Sequence, residues 1–382
     1  MTALAPAPPA DPSSDIEPTD GVLNAQYPSS YWLVAFAEDV RAGEAVPVHR
    51  LERDLVLWRD LDGTLYCQDH ACHEPAGRIG GRWARREGTV ICEAHQDRFR
   101  GVRRYRVVEK FDGIYVWNGT LPADHELPDI LDAKGIQEDD VRYLTWRCLL
   151  PFPGKWFSEN LPDAAHFAVL HNTGESAECQ VTDDHDHLYR CTVAITGERR
   201  LSLSPREIIT LYREDRLGDI VEFAGDLDVT IYGGGFNVFA MGTPKDHMPT
   251  TGLAGAIRTF VESTPVINCL TPVTADSHLL MTIMPMPRVS VPVFGRALEA
   301  AMDRAAVARN WAVVVADIAV MTHRMEEPQP RYNRLDRALV TYRRFWDRRL
   351  LDRTLGEGDN RHSNGRRAGV AWPQDGSVGG GR

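Results

Sequence analysis

Short strand-like runs fill the first part of the chain, and helical patterning comes only later. Apolar or alternating stretches rich in Val, Ile, Tyr and Trp recur at 31–36, 55–58, 63–67, 89–92, 105–108 and 113–117, separated by polar or glycine-containing turns. Asp62-Gly63, between the second and third runs, is a hairpin signal because both residues tolerate the backbone that tight turns require. Six such strands predict a small antiparallel β domain with two glycine-, cysteine- and histidine-bearing loops, at 69–81 and 92–101. The stretch 118–141 is polar, contains Pro122 and Pro128, and reads as a connection. A strand at 143–149 follows, then a helical stretch through 159–171. Further strands are expected at 191–195, 200–203, 208–212, 219–223, 229–232, 236–239, 256–261 and 279–284. This series predicts an antiparallel sheet in a second, larger domain. Beyond a turn near Pro292, 295–309 is alanine-rich and helical, and 310–320 continues it as an apolar run holding one acid, Asp317. The expected fold class is α+β, with domains at 28–125 and 126–355 between disordered ends at 1–27 and 356–382.

Composition narrows the function classes more than the fold. A chain of 382 residues has room for two domains and a sizeable core. Its 43% hydrophobic and 25% charged residues are ordinary for a soluble protein. A formal charge of −11 argues against nonspecific nucleic-acid binding. No run approaches the ~18 uninterrupted apolar residues of a membrane span. The N-terminal stretch is Ala- and Pro-rich without a basic or apolar signal segment, so a secretion signal is not expected. Seven cysteines in such a chain point to a reducing cytoplasm and to metal chemistry or buried thiols.

The most informative stretch runs from Glu159 through Asn160, Pro162 and Asp163 to His166 and His171. Five residues turn an ideal helix through about 500°, leaving two such side chains roughly 140° apart. They converge on one ion only if the helix ends between them, and His171-Asn172-Thr173-Gly174 supplies helix-terminating residues. Two imidazoles and one carboxylate form the facial triad of non-haem Fe(II) sites, which leaves neighbouring positions open. The alternative is an ordinary helix with two unrelated histidines. Asp317 is the candidate third donor, because a carboxylate in an apolar run is costly unless it is paired or metal-bound. Its other reading is an ion pair with a base such as Arg324. Asp276, in the polar Thr274-Ala275-Asp276-Ser277, reads as a turn, and His185-x-His187 among Asp183, Asp184 and Asp186 reads as a solvated polar turn. Val313, Met321 and Met284 are apolar enough to line a pocket, but core packing is the better reading of each.

Two loops of the first domain hold Cys72-His73-Glu74 and Cys92-Glu93-Ala94-His95. With the later stretch, they make the chain resemble the large (α) subunits of Rieske-type non-haem iron oxygenases. That family's cluster motif is Cys-x-His followed by Cys-x-x-His, and its iron site opens with a Trp and then Glu-Asn-x-x-Asp-x-x-His-x4-His. Trp156, Glu159, Asn160, Asp163, His166 and His171 match the second motif at every named position, and Cys72, Cys92 and His95 match the first. Glu74 stands where the first cluster histidine belongs, with His73 one residue early as the alternative ligand. A carboxylate is a poor partner for an iron–sulfur cluster. A site including Cys67 is a further alternative.

The resemblance implies a Rieske-like domain and a helix-grip-like catalytic domain. It implies a [2Fe-2S] cluster on Cys72, Cys92 and His95, and Fe(II) on His166, His171 and Asp317. In the family, the counterpart of Asp163 links the iron of one subunit to the cluster of the next, so a homo-oligomeric ring, a trimer, is expected. Electrons would come from a reductase or ferredoxin, and O2 would oxidise a small organic substrate by hydroxylation, demethylation or a related reaction. Two alternatives stand beside this: an iron oxygenase with a lost or atypical cluster, and a non-catalytic α-like partner subunit.

Overall fold

The computed structural model describes residues 22–70, 83–86, 89–92, 103–131, 136–171, 178–194, 226–241, 265–289, 295–324 and 330–351. Among the described residues, its first part is built of strands, with one short 3-10 turn at Ala37–Asp39. Strands β1 (Ser30–Phe36), β9 (Gly113–Asn118) and β8 (Val107–Lys110) form one antiparallel sheet in the order β1-β9-β8. Strands β2 (Ala45–Arg50), β3 (Arg53–Arg59), β4 (Leu65–Asp69) and β7 (Arg104–Tyr105) form a second, and β5 (Trp83–Arg86) with β6 (Thr89–Cys92) makes a separate hairpin. The predicted Asp62-Gly63 turn joins β3 to β4, with Gly63 at φ 93°. Strands β2 and β5 are not among the expected runs. Their residues, Ala-Val-Pro-Val-His-Arg and Trp-Ala-Arg-Arg, carry a proline or successive charges that hide the apolar alternation.

The second part is built on one large antiparallel sheet. Its strands are β10 (Val141–Leu150), β11 (Glu178–His185), β12 (Leu188–Ala194), β13 (Leu227–Tyr232), β14 (Phe236–Met241), β15 (Val266–Thr274) and β16 (Ser277–Pro287). These seven lie side by side in the order β10-β16-β15-β14-β13-β12-β11. The strands expected at 200–203, 208–212, 219–223 and 256–261, the two chain ends, and residues 71–74 and 93–102 lie outside the described residues. Strands β11 and β15 are additional. β11 carries consecutive acids and β15 interrupts its apolar run with Asn268, Thr271 and Pro272. The residues around His187 do form a turn: Asp186 has φ 45°, and His185 Nδ1 lies 2.5 Å from Asp183 Oδ1.

Among the described residues, four helices complete this part: α1 (Gly154–Asn160), α2 (Ala164–Leu170), α3 (Gly295–Met321) and α4 (Arg337–Arg344), the last running into a π-helical segment, Phe345–Leu351. Alternate side chains of β10 and β16 face α3. Met284 and Met286 pack on Met302, Trp146 meets Trp311 edge-on at 5.4 Å, and Arg142 reaches Asp303 at 2.6 and 2.8 Å. Met321 and Met284 are therefore core residues. Among the described residues, no helix is long and apolar enough to cross a membrane.

The two parts share packing. One apolar cluster runs from Trp32 and Val34 of β1 to Tyr189, Cys191 and Val229 of the large sheet, and on to Tyr342, Phe345 and Trp346. Thr271 Oγ1 donates to the Leu33 carbonyl at 2.6 Å, and Leu51 N donates to the Pro272 carbonyl at 2.7 Å. The β13–β14 turn, Gly233-Gly234-Gly235, presses against β1, where a Cβ on Gly233 would collide with Ser30 and one on Gly234 or Gly235 with Trp32. Gly233 also sits at φ 57°, a backbone that side chains rarely adopt.

The helices are tied together by one buried carboxylate. Glu159, on α1, accepts hydrogen bonds from Arg343 of α4 (Nε to Oε1 3.0 Å, Nη2 to Oε2 2.8 Å) and from Arg324, just beyond α3. Its side chain is 5% exposed. Burial pushes the Glu159 carboxyl up, but the hydrogen bonds and charges of the two guanidinium groups outweigh this and hold it below its ordinary value.

Both features set measurable stabilities. Gly233→Ala should lower unfolding free energy by about 1–3 kcal/mol in denaturant melts, because strain and collision act together. Glu159, with its folded pKa depressed, contributes stability that is present above its unfolded value near 4.3 and is lost as pH falls through the lower folded value. Melts from about pH 7 to about pH 3 should therefore fall less steeply with acid in Glu159→Gln than in the wild type. Equal slopes would show that the pair carries no linkage.

Candidate metal centre

The expected single helix through 159–171 is two helices. α1 ends at Asn160, and the chain turns through Leu161 and Pro162 before α2 starts. Leu161 keeps helical backbone (φ −62°, ψ −43°), but the proline after it has no N–H to continue the ladder, which places the break here. Asp163 is the N-cap of α2: its Oδ1 accepts from Ala165 N at 3.1 Å and His166 N at 3.3 Å. Capping falls to Asp163, while Glu159 and Asn160 lie buried in the last turn of α1.

That short helix carries both histidines. His166 lies in its first turn and His171 is its C-cap, with φ −100° and ψ 4°, already outside helical geometry. This early ending lets side chains five residues apart converge, as the Asn-Thr-Gly continuation predicts. His166 Nδ1 donates to the Asp163 carbonyl at 2.9 Å, which turns Nε2 toward His171. The two rings stand nearly perpendicular at 81°, with their Nε2 atoms 3.1 Å apart.

The third donor comes from α3. Asp317 Oδ1 lies 3.1 Å from His171 Nε2 and 3.3 Å from His166 Nε2. On the same helix face, Val314 and Met321 pack into an apolar cluster with Phe157 and Leu150, so Asp317 is an isolated carboxylate on a dry surface. Side-chain exposures of 11%, 3% and 8% for His166, His171 and Asp317 place the triangle inside the protein. Burial pushes the Asp317 carboxyl up, yet the hydrogen bonds to both imidazoles prevail and hold it below the ordinary carboxylate range. Burial disfavours the His166 imidazolium, and Asp317 more than reverses that, raising it above the usual histidine value.

The residues fit a metal ion. Three mutually cis donors at about 2.1 Å from one ion stand about 3.0 Å apart, close to the observed triangle. Two imidazole nitrogens and one carboxylate oxygen are the donor set of a non-haem Fe(II) facial triad, and among the described residues this is the group of three able to hold an ion. The alternative pairing of Asp317 with Arg324 does not occur, because Arg324 is engaged by Glu159. Asp276 sits in the β15–β16 turn, its N–H donating to Thr274 Oγ1 at 3.3 Å. Cys92 ends β6, opposite Trp83, while Cys72, His73, Glu74 and His95 lie outside the described residues. Cys67 is buried in the core beside Leu57. Sequence reasoning missed the part played by Arg343. The signal available was Glu159 itself, an acid on a short helix that also carries Trp156 and Phe157.

Comparison with known proteins bears on the fold. Residues 30–112 match the family model for the Rieske [2Fe-2S] domain. No curated protein matches the chain. Among solved structures, the terminal oxygenase of carbazole 1,9a-dioxygenase from Nocardioides aromaticivorans is similar at a TM-score of 0.57 and 16% identity, covering 85% of this chain and 95% of that one. Apo dicamba monooxygenase is similar at a TM-score of 0.53 and 17% identity, covering 84% and 96%. Identities this low speak to fold. Residues 30–112 thus match the Rieske [2Fe-2S] domain family, and the chain as a whole shares the fold of these two oxygenase structures.

Proposed function

We propose that the chain is the oxygenase subunit of a Rieske-type non-haem iron system, using O2 and supplied electrons to oxidise a small organic substrate. The observation that carries this is the buried triangle of His166, His171 and Asp317, in a chain whose first domain matches the Rieske family. When bound, Fe(II) supplies O2 activation and a [2Fe-2S] cluster supplies one-electron transfer. His166, His171 and Asp317 would hold the iron from one side and leave the other for O2 and substrate. The Asp163 carbonyl holds His166 in the tautomer whose Nε2 carries the lone pair. The buried setting keeps bulk water from these side chains.

Cys72, Cys92, His95 and, shifted by one position, His73 would hold the cluster. Asp163, half-buried beside His166, is the proposed route by which an electron reaches the site from a neighbouring subunit's cluster in a trimeric ring. A ferredoxin or reductase is the proposed donor; a solved complex of the carbazole 1,9a-dioxygenase oxygenase with its ferredoxin supports that reading. Hydroxylation and demethylation are the reactions favoured, in the cytoplasm. Glu74 supports a second reading, an oxygenase with an atypical or lost cluster, because it stands at a ligand position where a hard carboxylate suits poorly.

Iron and acid-labile sulfide in anaerobically purified protein separate these readings. The full complement gives about three irons and two sulfides per chain, and the atypical enzyme about one iron without sulfide. His166→Ala should remove about one iron and leave sulfide unchanged. Iron content indifferent to that substitution would sink the proposal.

A further inference from the structure

The metal triangle and the Glu159 clamp join the same structural pieces. His166, His171 and Glu159 belong to the segment containing α1 and α2, whereas Asp317 and Arg324 belong to α3 and its immediate continuation. Glu159 lies seven residues before His166, and Arg324 seven residues after Asp317. One contact between two rods leaves them free to pivot; a second, offset contact removes that freedom. Arg324 is anchored twice more, its guanidinium lying 5.0 Å from the centre of the Trp156 ring and its Nη1 3.8 Å from Met321 Sδ. Arg343 adds a third element, binding Glu159 through two nitrogens and Tyr332 OH at 2.5 Å. Such a planar, two-point grip fixes orientation as well as distance.

We propose that Glu159 is a positioning residue for the metal centre: through Arg324 and Arg343 it fixes the end of α3, and with it Asp317, against the helices that carry His166 and His171. This rests on the reading of the triangle as a metal site. It assigns Glu159 no contact with metal or substrate. Without the clamp, α3 keeps its packing on β10 and β16 through Met302, Trp311 and the Arg142–Asp303 pair. Its far end, about one helical turn beyond Asp317, loses its tether, so the carboxylate no longer rests within reach of both imidazoles before the ion arrives. Groups that orient metal ligands from outside typically change affinity by about 10- to 100-fold.

The test is titration of metal-stripped full-length protein with Co(II), read by its visible absorption, alongside thermal melts. Glu159→Gln should weaken Co(II) binding at least about tenfold and alter the spectrum, and Glu159→Asp should recover part of the affinity. Arg324→Gln, at a position 23% exposed, should reproduce the loss, which keeps the proposal testable if the Glu159 variants fold poorly. Asp303→Asn cuts a different ion pair of the same helix and serves as the structural control: its melting point should fall with Co(II) affinity unchanged. Wild-type-like Co(II) binding in both Glu159→Gln and Arg324→Gln would overturn the clamp alone. Failure of the wild type to bind Co(II) would overturn the metal-site reading and the clamp with it.

Discussion

Burying the Asp317 carboxylate on an apolar face of α3 costs several kcal/mol unless partners compensate it, and the compensation comes from two imidazoles on a different element. Much of the larger domain is arranged to make that meeting possible. α3 is long and lies along the sheet, so its buried face is set by Met302, Val314 and Met321. The histidines, by contrast, come from a helix of seven residues. A helix so short has little stability of its own. It is held by the Asp163 cap at one end, by Phe167 and Ala164 in the main core, and by its connection to the clamped α1. A long rigid rod thus supplies one donor, and a short capped segment supplies two.

The clamp explains why the site can be buried without collapsing. Arg324 is the arginine nearest to Asp317 in the sequence. Were the two paired, the carboxylate would be neutralised and withdrawn from the histidines. Glu159 removes that competitor by engaging Arg324 itself, while sharing Arg343 as a second cation. The arrangement places excess positive charge at the clamp and leaves Asp317 to the imidazoles.

Much of the site is legible in the amino-acid sequence. The Trp156 to His171 motif and the lone acid in 310–320 name all three donors, and the expected early helix ending at His171 is what brings the imidazoles together. Strands with clean alternation or a continuous apolar run, such as β3, β9 and β16, are also readable. β2, β5, β11 and β15 are not, because a proline, polar residues or successive charges interrupt their apolar pattern. Pairings between distant residues, such as Glu159 with Arg343 and Thr271 with Leu33, leave no local pattern at all. The cluster motif rests on residue types: Cys72, Cys92 and His95 favour it, and Glu74 opposes it.

The proposed chemistry requires His166, His171 and Asp317 together to hold one iron. Iron X-ray absorption on a chain carrying Cys72→Ser and Cys92→Ser, which removes the cluster thiolates, isolates that ion. The expected result is about one iron per chain with nitrogen and oxygen neighbours and the outer-shell scattering of two imidazoles, reduced to one imidazole or lost in His171→Ala. Iron without imidazole scattering, or a spectrum unchanged by His171→Ala, would contradict it.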